Sequence, residues 1–323
     1  MDFDLKASKI FSKIKQAKNI LLVIHRKPDG DALGSASAFS QFLSIENKNH
    51  SVFCLDQPPA HYLFLTGFNQ ISNDPTKFFK KQFDLIIVFD SGDLEHAGLK
   101  DLLPKLSPRP FLINIDHHLT NQNFGDLNLV NPQAVSTTEI IFQLFYQQQF
   151  KISKEIATSL LTGIVTDTLN FTNPNTTFYS LKIAAELLLV GARLPQINEF
   201  TFKNKTLATL KLWGRILTRL TKNHQLGIVT TVVTNQDLAE YQIEAELTDG
   251  IANFLNNLTD VKAALILKEQ GDGTIKGSLR TSGDLIDLVR LAKILGGGGH
   301  QKAAGFTIKG SLVKSKQGYW QII

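Results

Sequence analysis

The chain has 323 residues, of which 43% are hydrophobic and 20% are charged, and its formal net charge at pH 7 is +5. This length suffices for two ordinary domains with hydrophobic cores, and the composition is that of a globular protein. No apolar run reaches the roughly 20 residues of a membrane helix. The N-terminus does not resemble a secretory signal, and the single cysteine, Cys54, excludes an internal disulfide. We therefore expect a cytoplasmic protein with no membrane partner.

Four short, continuously apolar runs in the first half of the chain predict buried parallel strands. These runs cover residues 19–24, 51–55, 84–90 and 111–116. Helical patterns follow at residues 137–148, 153–163 and 177–190. This succession indicates an α/β domain with a doubly wound, mainly parallel sheet.

The pattern changes after residue 190. Gly191 is typical of a helix stop and Pro195 follows it closely, so we predict a first domain at 1–190, a linker at 191–206 and a second domain at 207–323. In the second domain, helices are predicted at 207–221, 247–257 and 284–294. Strands are predicted there at 226–233, 261–268, 274–280 and 303–309.

Polar side chains follow three of the predicted strands at the points where these strands end. They are His25 after the first strand, Asp90 after the third, and Asp116, His117 and His118 after the fourth. Ligands of open α/β sheets bind at the carboxyl ends of the strands, so we expect these side chains to meet at one edge. Three further carboxylates could join them, namely Asp29, Asp31 and Asp167.

Each of these features alone has a plain structural interpretation. A single Asp at a strand end is more often a turn residue or a helix N-cap. Single histidines are usually surface residues, and we assign no role to His50, His61, His96 and His224. The ordered combination H-x-x-x-D-x-D, D-S-G-D, D-H-H and T-D-T instead indicates a divalent metal site. Mn²⁺ fits such ligands best, with Mg²⁺ and Co²⁺ as alternatives, and the many carboxylates favour two ions that share a bridging carboxylate.

These motifs resemble the DHH phosphoesterase family, which takes its name from the triplet found here at residues 116–118. Residues 277–306, GSLRTSGDLIDLVRLAKILGGGGHQKAAGF, resemble the accessory DHHA1 domain of that family. The resemblance implies a DHH catalytic domain, a smaller α/β DHHA1 domain with a mixed sheet, and an active site in the cleft between them. Within the family, the chain looks most like the bifunctional oligoribonucleases, or nano-RNases, that also act on pAp.

The resemblance also implies roles for residues of the first domain. One ion would be held by His25, Asp29 and Asp90, and the other by Asp31, Asp90, His117 and Asp167. Asp90 would then be the bridging carboxylate. Asp116 would fix the orientation of an imidazole by accepting a hydrogen bond. His118 would face the substrate phosphate and could donate a proton to the leaving oxygen.

The glycine run at residues 296–300, GGGGH, follows a predicted helix. By itself it predicts a helix C-cap and a flexible loop, and it matches neither a Walker loop nor the dinucleotide fingerprint. The family resemblance implies that this loop and a nearby arginine bind the far phosphate or terminal nucleotide of the substrate. The residues concerned are Arg280, Ser282, Gly297, Gly298, Gly299 and His300.

The sequence departs from the family pattern at two places. Thr281 stands between Arg280 and Ser282, and Leu169-Asn170 replaces the glycine that often follows the D-T pair. Neither departure affects a ligand that the resemblance implies. Both leave the substrate preference less defined.

The resemblance implies a hydrolase that degrades short RNA oligonucleotides to mononucleotides and converts pAp to AMP. The positive net charge is consistent with a polyanionic ligand, although no basic block stands out. Alternatives are a phosphodiesterase acting on pApA or cyclic di-AMP, and a nucleotide-binding regulator without catalytic activity. The sequence leaves the oligomeric state open, although dimers are common among such proteins and a homodimer is therefore one alternative.

Overall fold

The computed structural model describes residues 2–202, 206–242, 250–255, 258–281, 283, 286–300, 302–316 and 318–323. The chain forms two compact units, residues 1–204 (unit 1) and residues 205–323 (unit 2). Within the described ranges, no helix is long and apolar enough to span a lipid bilayer.

Unit 1 contains a six-stranded sheet and the helices around it. The strands are β1 (Asn19–Ile24), β2 (Asn49–Phe53), β3 (Ile71–Ser72), β4 (Leu85–Phe89), β5 (Phe111–Asp116) and β6 (Leu127–Val130). The helices are α1 (Asp2–Gln16), α2 (Gly30–Ile45), α3 (Pro75–Lys80), α4 (Thr137–Gln147), α5 (Lys154–Asp167), α6 (Phe178–Val190) and α7 (Leu194–Thr201). Short 3₁₀ helices lie at Ala60–Tyr62, Phe68–Gln70 and Leu103–Lys105. The helix α7 lies inside the segment predicted as a linker.

The sheet of unit 1 has the strand order β3-β2-β1-β4-β5-β6, and every adjacent pair is parallel. This confirms the predicted doubly wound, parallel α/β fold. The chain leaves β1 toward one edge of the sheet and returns to β4 on the other side of β1. The carboxyl ends of β1 and β4 therefore flank the switch point at which ligands bind in such sheets.

The strands are continuously apolar because both faces of the sheet are buried. In β1, Ile20, Leu22 and Ile24 belong to the larger core, which lies against α2, α4 and α5. Leu21 and Val23 point to the opposite face and belong to a smaller core with Leu99 and Leu103.

The helices α2 and α5 cross at very short distance. A Cβ atom on Gly34 of α2 would lie 2.5 Å from the carbonyl oxygen of Ser159 in α5. One on Gly30 would lie 2.5 Å from the side chain of Thr166. Small residues at this crossing therefore hold the N-terminus of α2 beside the last turn of α5.

Unit 2 is smaller and has a mixed sheet. Its strands are β7 (Thr221–Asn223), β8 (Ile228–Val233), β9 (Ala263–Glu269), β10 (Thr274–Arg280), β11 (Gly298–His300), β12 (Ala303–Lys309), β13 (Leu312–Lys314) and β14 (Trp320–Ile322). Its helices are α8 (Leu207–Thr218), α9 (Asn235–Tyr241), α10 (Ile251–Leu255) and α11 (Leu288–Ile294). The main sheet has the order β11-β12-β10-β9-β8-β7, in which only β8 and β9 are parallel neighbours. This confirms the predicted mixed sheet.

The glycine run differs from the loop that its composition predicts. Gly298 and Gly299 lie in β11 and pair with Gly305 and Ala304 of β12. A Cβ atom on Gly297 would lie 2.0 Å from the carbonyl oxygen of Gly305. Gly299 has a φ of +134°, a backbone conformation that residues other than glycine rarely adopt. Close approach of β12 therefore explains glycine at these positions.

Candidate metal centre

The N-terminus of α2 separates Asp29 from Asp31. Asp29 is the N-cap, and its Oδ1 atom accepts hydrogen bonds from the backbone N–H groups of Asp31 (3.0 Å) and Ala32 (3.1 Å). Its side chain remains 56% exposed. Asp31 lies in the first turn of the helix and is completely buried. The two carboxylates thus diverge because a helix begins at Gly30, one residue after the cap.

Asp31 lies against the N-terminus of α4. Its Oδ2 atom accepts a hydrogen bond from the backbone N–H of Thr137 at 2.6 Å. Its Oδ1 atom accepts from the backbone N–H and the hydroxyl of Thr138 at 2.9 and 2.8 Å. These donors and the helix dipole favour the charged form of the Asp31 carboxylate. Sequence reasoning missed this contact, for which S-T-T at residues 136–138 is the signal.

Asp90 follows β4 and lies between two imidazoles, His25 and His117, which follow the strands on either side of β4. Its Oδ2 atom is 3.5 Å from His25 Nε2, and its Oδ1 atom is 3.5 Å from His117 Nε2. The hydroxyl of Thr137 also donates to Oδ1 at 3.1 Å. Asp90 has a φ of +56°, a left-handed conformation that costs about 1–3 kcal/mol and is concentrated at functional sites.

Backbone carbonyl groups orient both imidazoles. His25 Nδ1 donates to the carbonyl of Arg26 at 2.8 Å, and His117 Nδ1 donates to the carbonyl of Ala134 at 3.3 Å. A carbonyl can only accept, so Nδ1 carries the proton and Nε2 presents a lone pair when the ring is neutral. This is the usual arrangement of metal-binding histidines.

Asp167 ends α5 and completes the cluster. Its Oδ2 atom lies 3.4 Å from His117 Nε2. After Thr168, the residues Leu169, Asn170 and Phe171 have φ values of 48°, 57° and 64° and form a left-handed turn. Glycine adopts this conformation most readily, whereas this chain adopts it with side chains.

The ligand atoms form two groups in which all atoms lie within 4.8 Å of one another. The groups are His25-Asp29-Asp90 and Asp31-His117-Asp167. Asp90 also groups with His117 and His118, so one carboxylate joins both sides of the cluster.

The electrostatics of the cluster favour cations. Burial raises the pKa of Asp31, and the charges of Asp90 and Asp29 raise it further, to well above its usual range. Burial and the neighbouring carboxylates, Asp31 first among them, act on the pKa of Asp167 in the same direction. Divalent cations would relieve this repulsion, so the residues present fit two such ions.

His118 differs from His117 in its hydrogen bonding. Its Nδ1 atom donates to Asp116 Oδ1 at 2.7 Å, and Asp116 is itself buried and bonded to Asn121 at 2.5 Å. Burial lowers the pKa of His118, but the bond to Asp116 and the charge of Asp90 outweigh it and raise that pKa to about 9. Nδ1 is committed to Asp116, so Nε2 is the atom that could act on a substrate.

His96 also lies at the site, although no role is predicted for it from the sequence. Its ring stacks on that of His25, with centroids 4.6 Å apart and planes 11° from parallel. Its carbonyl accepts a hydrogen bond from the backbone N–H of Arg26 at 2.9 Å. The turn that presents it is closed by Asp93, whose Oδ1 accepts from the His96 backbone N–H at 2.7 Å. Only the motif D-S-G-D signals this turn.

In unit 2, the strand register brings two of the predicted substrate-binding residues to the same position along β12. Arg280 at the end of β10 and His300 at the end of β11 both pair with Ala303 of β12, from opposite sides. The Arg280 side chain donates to the carbonyl of Leu279 at 2.9 Å. Ser282 and the side chain of His300 lie outside the described residues. Thr281 is buried, and its hydroxyl donates to the carbonyl of Lys262 at 2.7 Å, which indicates a structural role.

Comparison with known proteins agrees with the fold. Residues 19–164 match the N-terminal domain of the DHH family, and residues 226–317 match the DHHA1 domain. The bifunctional oligoribonuclease and PAP phosphatase NrnA of Thermus thermophilus is 30% identical over 291 residues, which cover 90% of this chain and 84% of that protein.

Two solved structures extend this comparison. An exopolyphosphatase-related protein from Bacteroides fragilis is 27% identical, with a TM-score of 0.86 and coverage of 94% of this chain and 90% of that one. RecJ of Thermus thermophilus in complex with Mn²⁺ has a TM-score of 0.57 at 15% identity, covering 95% of this chain and 52% of that one, and shows a shared fold.

The fold, the metal cluster and these matches define a phosphoric ester hydrolase that depends on divalent metal ions. The chain belongs to the DHH family, and its unit 2 contains a DHHA1 domain.

Proposed function

We propose that this protein hydrolyses short RNA oligonucleotides to mononucleotides and converts pAp to AMP, with two Mn²⁺ ions in its catalytic centre. The observation that carries this proposal is the pair of ligand groups joined by Asp90. The relative in Thermus thermophilus, named an oligoribonuclease and PAP phosphatase, supports the choice of substrates.

The two ions would be held by residues that the structure brings together. His25, Asp29 and Asp90 would hold one ion, and Asp31, Asp90, His117 and Asp167 would hold the other. Mixed carboxylate and imidazole ligands suit Mn²⁺, with Mg²⁺ and Co²⁺ as alternatives. When bound, two divalent ions lower the pKa of an attacking water and neutralise charge on the phosphate.

The protein's own residues supply the remaining chemistry. Asp116 holds His118 through Nδ1, and this bond raises the pKa of the imidazole. A protonated His118 can donate from Nε2 to a phosphate oxygen or give its proton to the leaving oxygen. Thr137 and Thr138 hold Asp31 in place, so the cluster is fixed before substrate arrives.

We further assign substrate binding to unit 2. Arg280, Ser282, Gly297, Gly298, Gly299 and His300 would bind the far phosphate or the terminal nucleotide. A guanidinium suits this task because it donates two parallel hydrogen bonds to phosphate. The pairing of Arg280 and His300 with the same residue of β12 supports a common binding role.

The test is a substrate profile of the purified chain after removal and defined return of metal. RNA of two to five nucleotides, pAp, pApA and cyclic di-AMP are each incubated with Mn²⁺, Mg²⁺ or Co²⁺. We expect mononucleotides from the RNA and AMP from pAp, fastest with Mn²⁺. Turnover of pApA or cyclic di-AMP alone would contradict the substrate assignment. Binding without turnover of any substrate would identify a regulator instead.

A variant tests the metal assignment separately. Asp90→Ala removes the carboxylate that would bridge the two ions and should abolish turnover of every substrate. Asp101→Ala, at an exposed aspartate outside the site, is the matched control and should keep normal activity. An active Asp90→Ala enzyme would show that Asp90 does not bridge two ions.

A further inference from the structure

The carbonyl group of Ser91 accepts hydrogen bonds from two side-chain amides. Asn114 Nδ2 donates to it at 3.2 Å, and Asn121 Nδ2 donates to it at 3.1 Å. Ser91 and Asn114 are completely buried. A carbonyl oxygen has two lone pairs, so the two amides satisfy it fully. The backbone directly after Asp90 is therefore held by residues that lie outside its own turn.

This support matters because of the backbone conformation of Asp90. Its φ of +56° is left-handed, and such a conformation persists only where the surrounding structure over-determines it. The backbone N–H of Asp90 donates to the carbonyl of Ile115 at 3.0 Å, and the carbonyl of Gly92 accepts from the backbone N–H of Gln122 at 2.8 Å. The two bonds to Ser91 lie between these contacts. Together they determine the direction in which the Asp90 carboxylate leaves the chain.

The amide of Asn121 also contacts the carboxylate of Asp116. Asn121 Nδ2 lies 2.5 Å from Asp116 Oδ2, and the other oxygen, Oδ1, accepts a hydrogen bond from His118 Nδ1 at 2.7 Å. Asp116 is completely buried. A buried carboxylate that is held at both oxygens belongs to a rigid network. Asn121 therefore fixes the orientation of the His118 ring through Asp116.

The hydrogen-bond partners determine which end of the Asn121 amide points to these groups. Its Nδ2 atom faces three acceptors, and the third of them is Asn114 Oδ1 at 2.7 Å. Its Oδ1 atom accepts from the backbone N–H of Asn123 at 2.7 Å. A flipped amide would place an oxygen against three oxygens, so this orientation is the one that satisfies the network.

We propose that Asn121 is a positioning residue that holds the bridging carboxylate Asp90 and the proton donor His118 in one fixed relation. Its amide joins Ser91, which follows β4, to Asp116, which ends β5. The inference rests on the proposed function for the roles of Asp90 and His118. Loss of the Asn121 amide should then weaken metal binding through Asp90 and proton donation through His118.

The affinity of the full chain for Mn²⁺ measures the first effect. In titration calorimetry, Asn121→Ala should bind Mn²⁺ about tenfold more weakly than the wild type, because loss of a residue that supports metal ligands costs about 10–100-fold. Asn73→Ala is the matched control, since Asn73 is an exposed asparagine of unit 1 whose amide donates to Gln57. It should bind Mn²⁺ normally. An unchanged affinity in Asn121→Ala would overturn the proposal.

The dependence of the rate on the leaving group measures the second effect. At saturating Mn²⁺, Asn121→Ala should hydrolyse RNA dinucleotides about 10²-fold more slowly than the wild type, as expected for loss of a general acid. The p-nitrophenyl ester of 5′-TMP has a leaving group that needs no proton, so its hydrolysis should fall by less than about tenfold. A smaller folded fraction would lower both rates equally, and that result would overturn the proposal.

The two measurements separate this proposal from the proposed function. If the wild type hydrolyses neither substrate, the assigned activity is wrong, while the comparison of Mn²⁺ affinities still tests the role of Asn121. If the wild type is active and Asn121→Ala keeps both its Mn²⁺ affinity and its rate, the activity stands and the role of Asn121 is wrong.

Asn114→Leu covers the case in which Asn121→Ala does not fold. Leucine has nearly the shape of asparagine and suits the apolar strand β5. The change removes one donor from Ser91 and leaves the contact between Asn121 and Asp116. We expect weaker Mn²⁺ binding and the same ratio of RNA to p-nitrophenyl ester hydrolysis as in the wild type. Normal Mn²⁺ affinity, or a loss confined to RNA, would overturn the proposal.

Discussion

Gly163 of α5 lies so close to Asp31 that a Cβ atom there would come within 2.3 Å of Asp31 Oδ1. The same atom would lie 2.2 Å from the hydroxyl of Thr138, which bonds to Asp31. The absence of a side chain at Gly163 thus gives the Asp31 carboxylate its position. A residue that binds nothing itself therefore shapes the metal centre.

Gly163→Ala should weaken metal binding more than it weakens folding. The added methyl group must displace Asp31 or the start of α4, and disturbances of such supporting residues typically cost about 10–100-fold in metal affinity or activity. Titration calorimetry with Mn²⁺ and the RNA assay measure the effect. Gly214→Ala, in helix α8 with no atom within 4 Å of the new Cβ, should be neutral or stabilising. Equal effects of both variants would contradict the role of Gly163.

His96→Ala should also lower metal affinity, because it removes the ring that stacks on His25. We expect a loss of about tenfold in Mn²⁺ affinity, which is the lower end of the range for residues that support metal ligands. His96→Phe keeps a planar ring and should restore most of the affinity, while His96→Leu should not. If Phe and Leu behave alike, His96 does not orient His25 by stacking.

Asp116→Asn should reduce kcat with little change in the metal content. The amide can still accept a hydrogen bond from His118 Nδ1, but it removes the charge that stabilises a protonated imidazole. Loss of a general acid typically lowers the rate by about 10²–10⁴-fold. Single-turnover kinetics measures the loss of rate, and metal analysis checks that the metal content is unchanged. Asp101→Asn is the control for both measurements. Loss of metal from Asp116→Asn would assign Asp116 to the ligands instead.

The stability of unit 2 should fall in acid because of Asp237. This carboxylate is buried and accepts hydrogen bonds from the two terminal nitrogens of the Arg219 guanidinium, one of them at 2.8 Å, and from the backbone N–H and the hydroxyl of Thr234. Burial raises the pKa of Asp237, but the Arg219 bond and the Thr234 bonds outweigh it and hold it below the usual value. The stabilisation is therefore complete above the unfolded pKa of about 4 and is lost as the pH falls through the lower folded value.

Tryptophan fluorescence can follow this loss, because both tryptophans, Trp213 and Trp320, lie in unit 2. Urea unfolding gives the free energy of unfolding at pH 6 and at pH 3. The decrease in this free energy between pH 6 and pH 3 should be smaller for Asp237→Asn than for the wild type. Asp260→Asn is the control, since its pair with Lys222 is exposed and exposed pairs contribute little. An unchanged pH difference in Asp237→Asn would rule out this source of acid sensitivity.

The sequence predicts the site best where chain order alone determines position. His25, Asp90 and Asp116 follow or end strands, and parallel strands bring such residues to one edge whatever their loops do. The contact between Asp31 and Thr137 spans 106 residues, and the S-T-T motif at residues 136–138 does not by itself indicate which residue it will contact. The ring stacking of His96 is likewise a matter of loop geometry.

The glycine run shows a different limit. Four consecutive glycines have low strand propensity and predict a loop. The strand β11 forms because it pairs with β12. The chain of β12 lies too close to Gly297 for any side chain there, and the glycine run by itself does not reveal this neighbour. Local preference is overruled where a partner strand supplies the hydrogen bonds.

The central position of β1 in the sheet has a consequence for biosynthesis. The first strand to be made pairs with β2 and also with β4, and the helix after it packs on α5, whose last residue is Asp167. A nascent chain that ends before Asp167 therefore cannot complete the Asp31-His117-Asp167 group. This group of ligands can therefore form only after about half of the 323 residues have been made, and a truncated product released earlier would lack one of the two ligand groups.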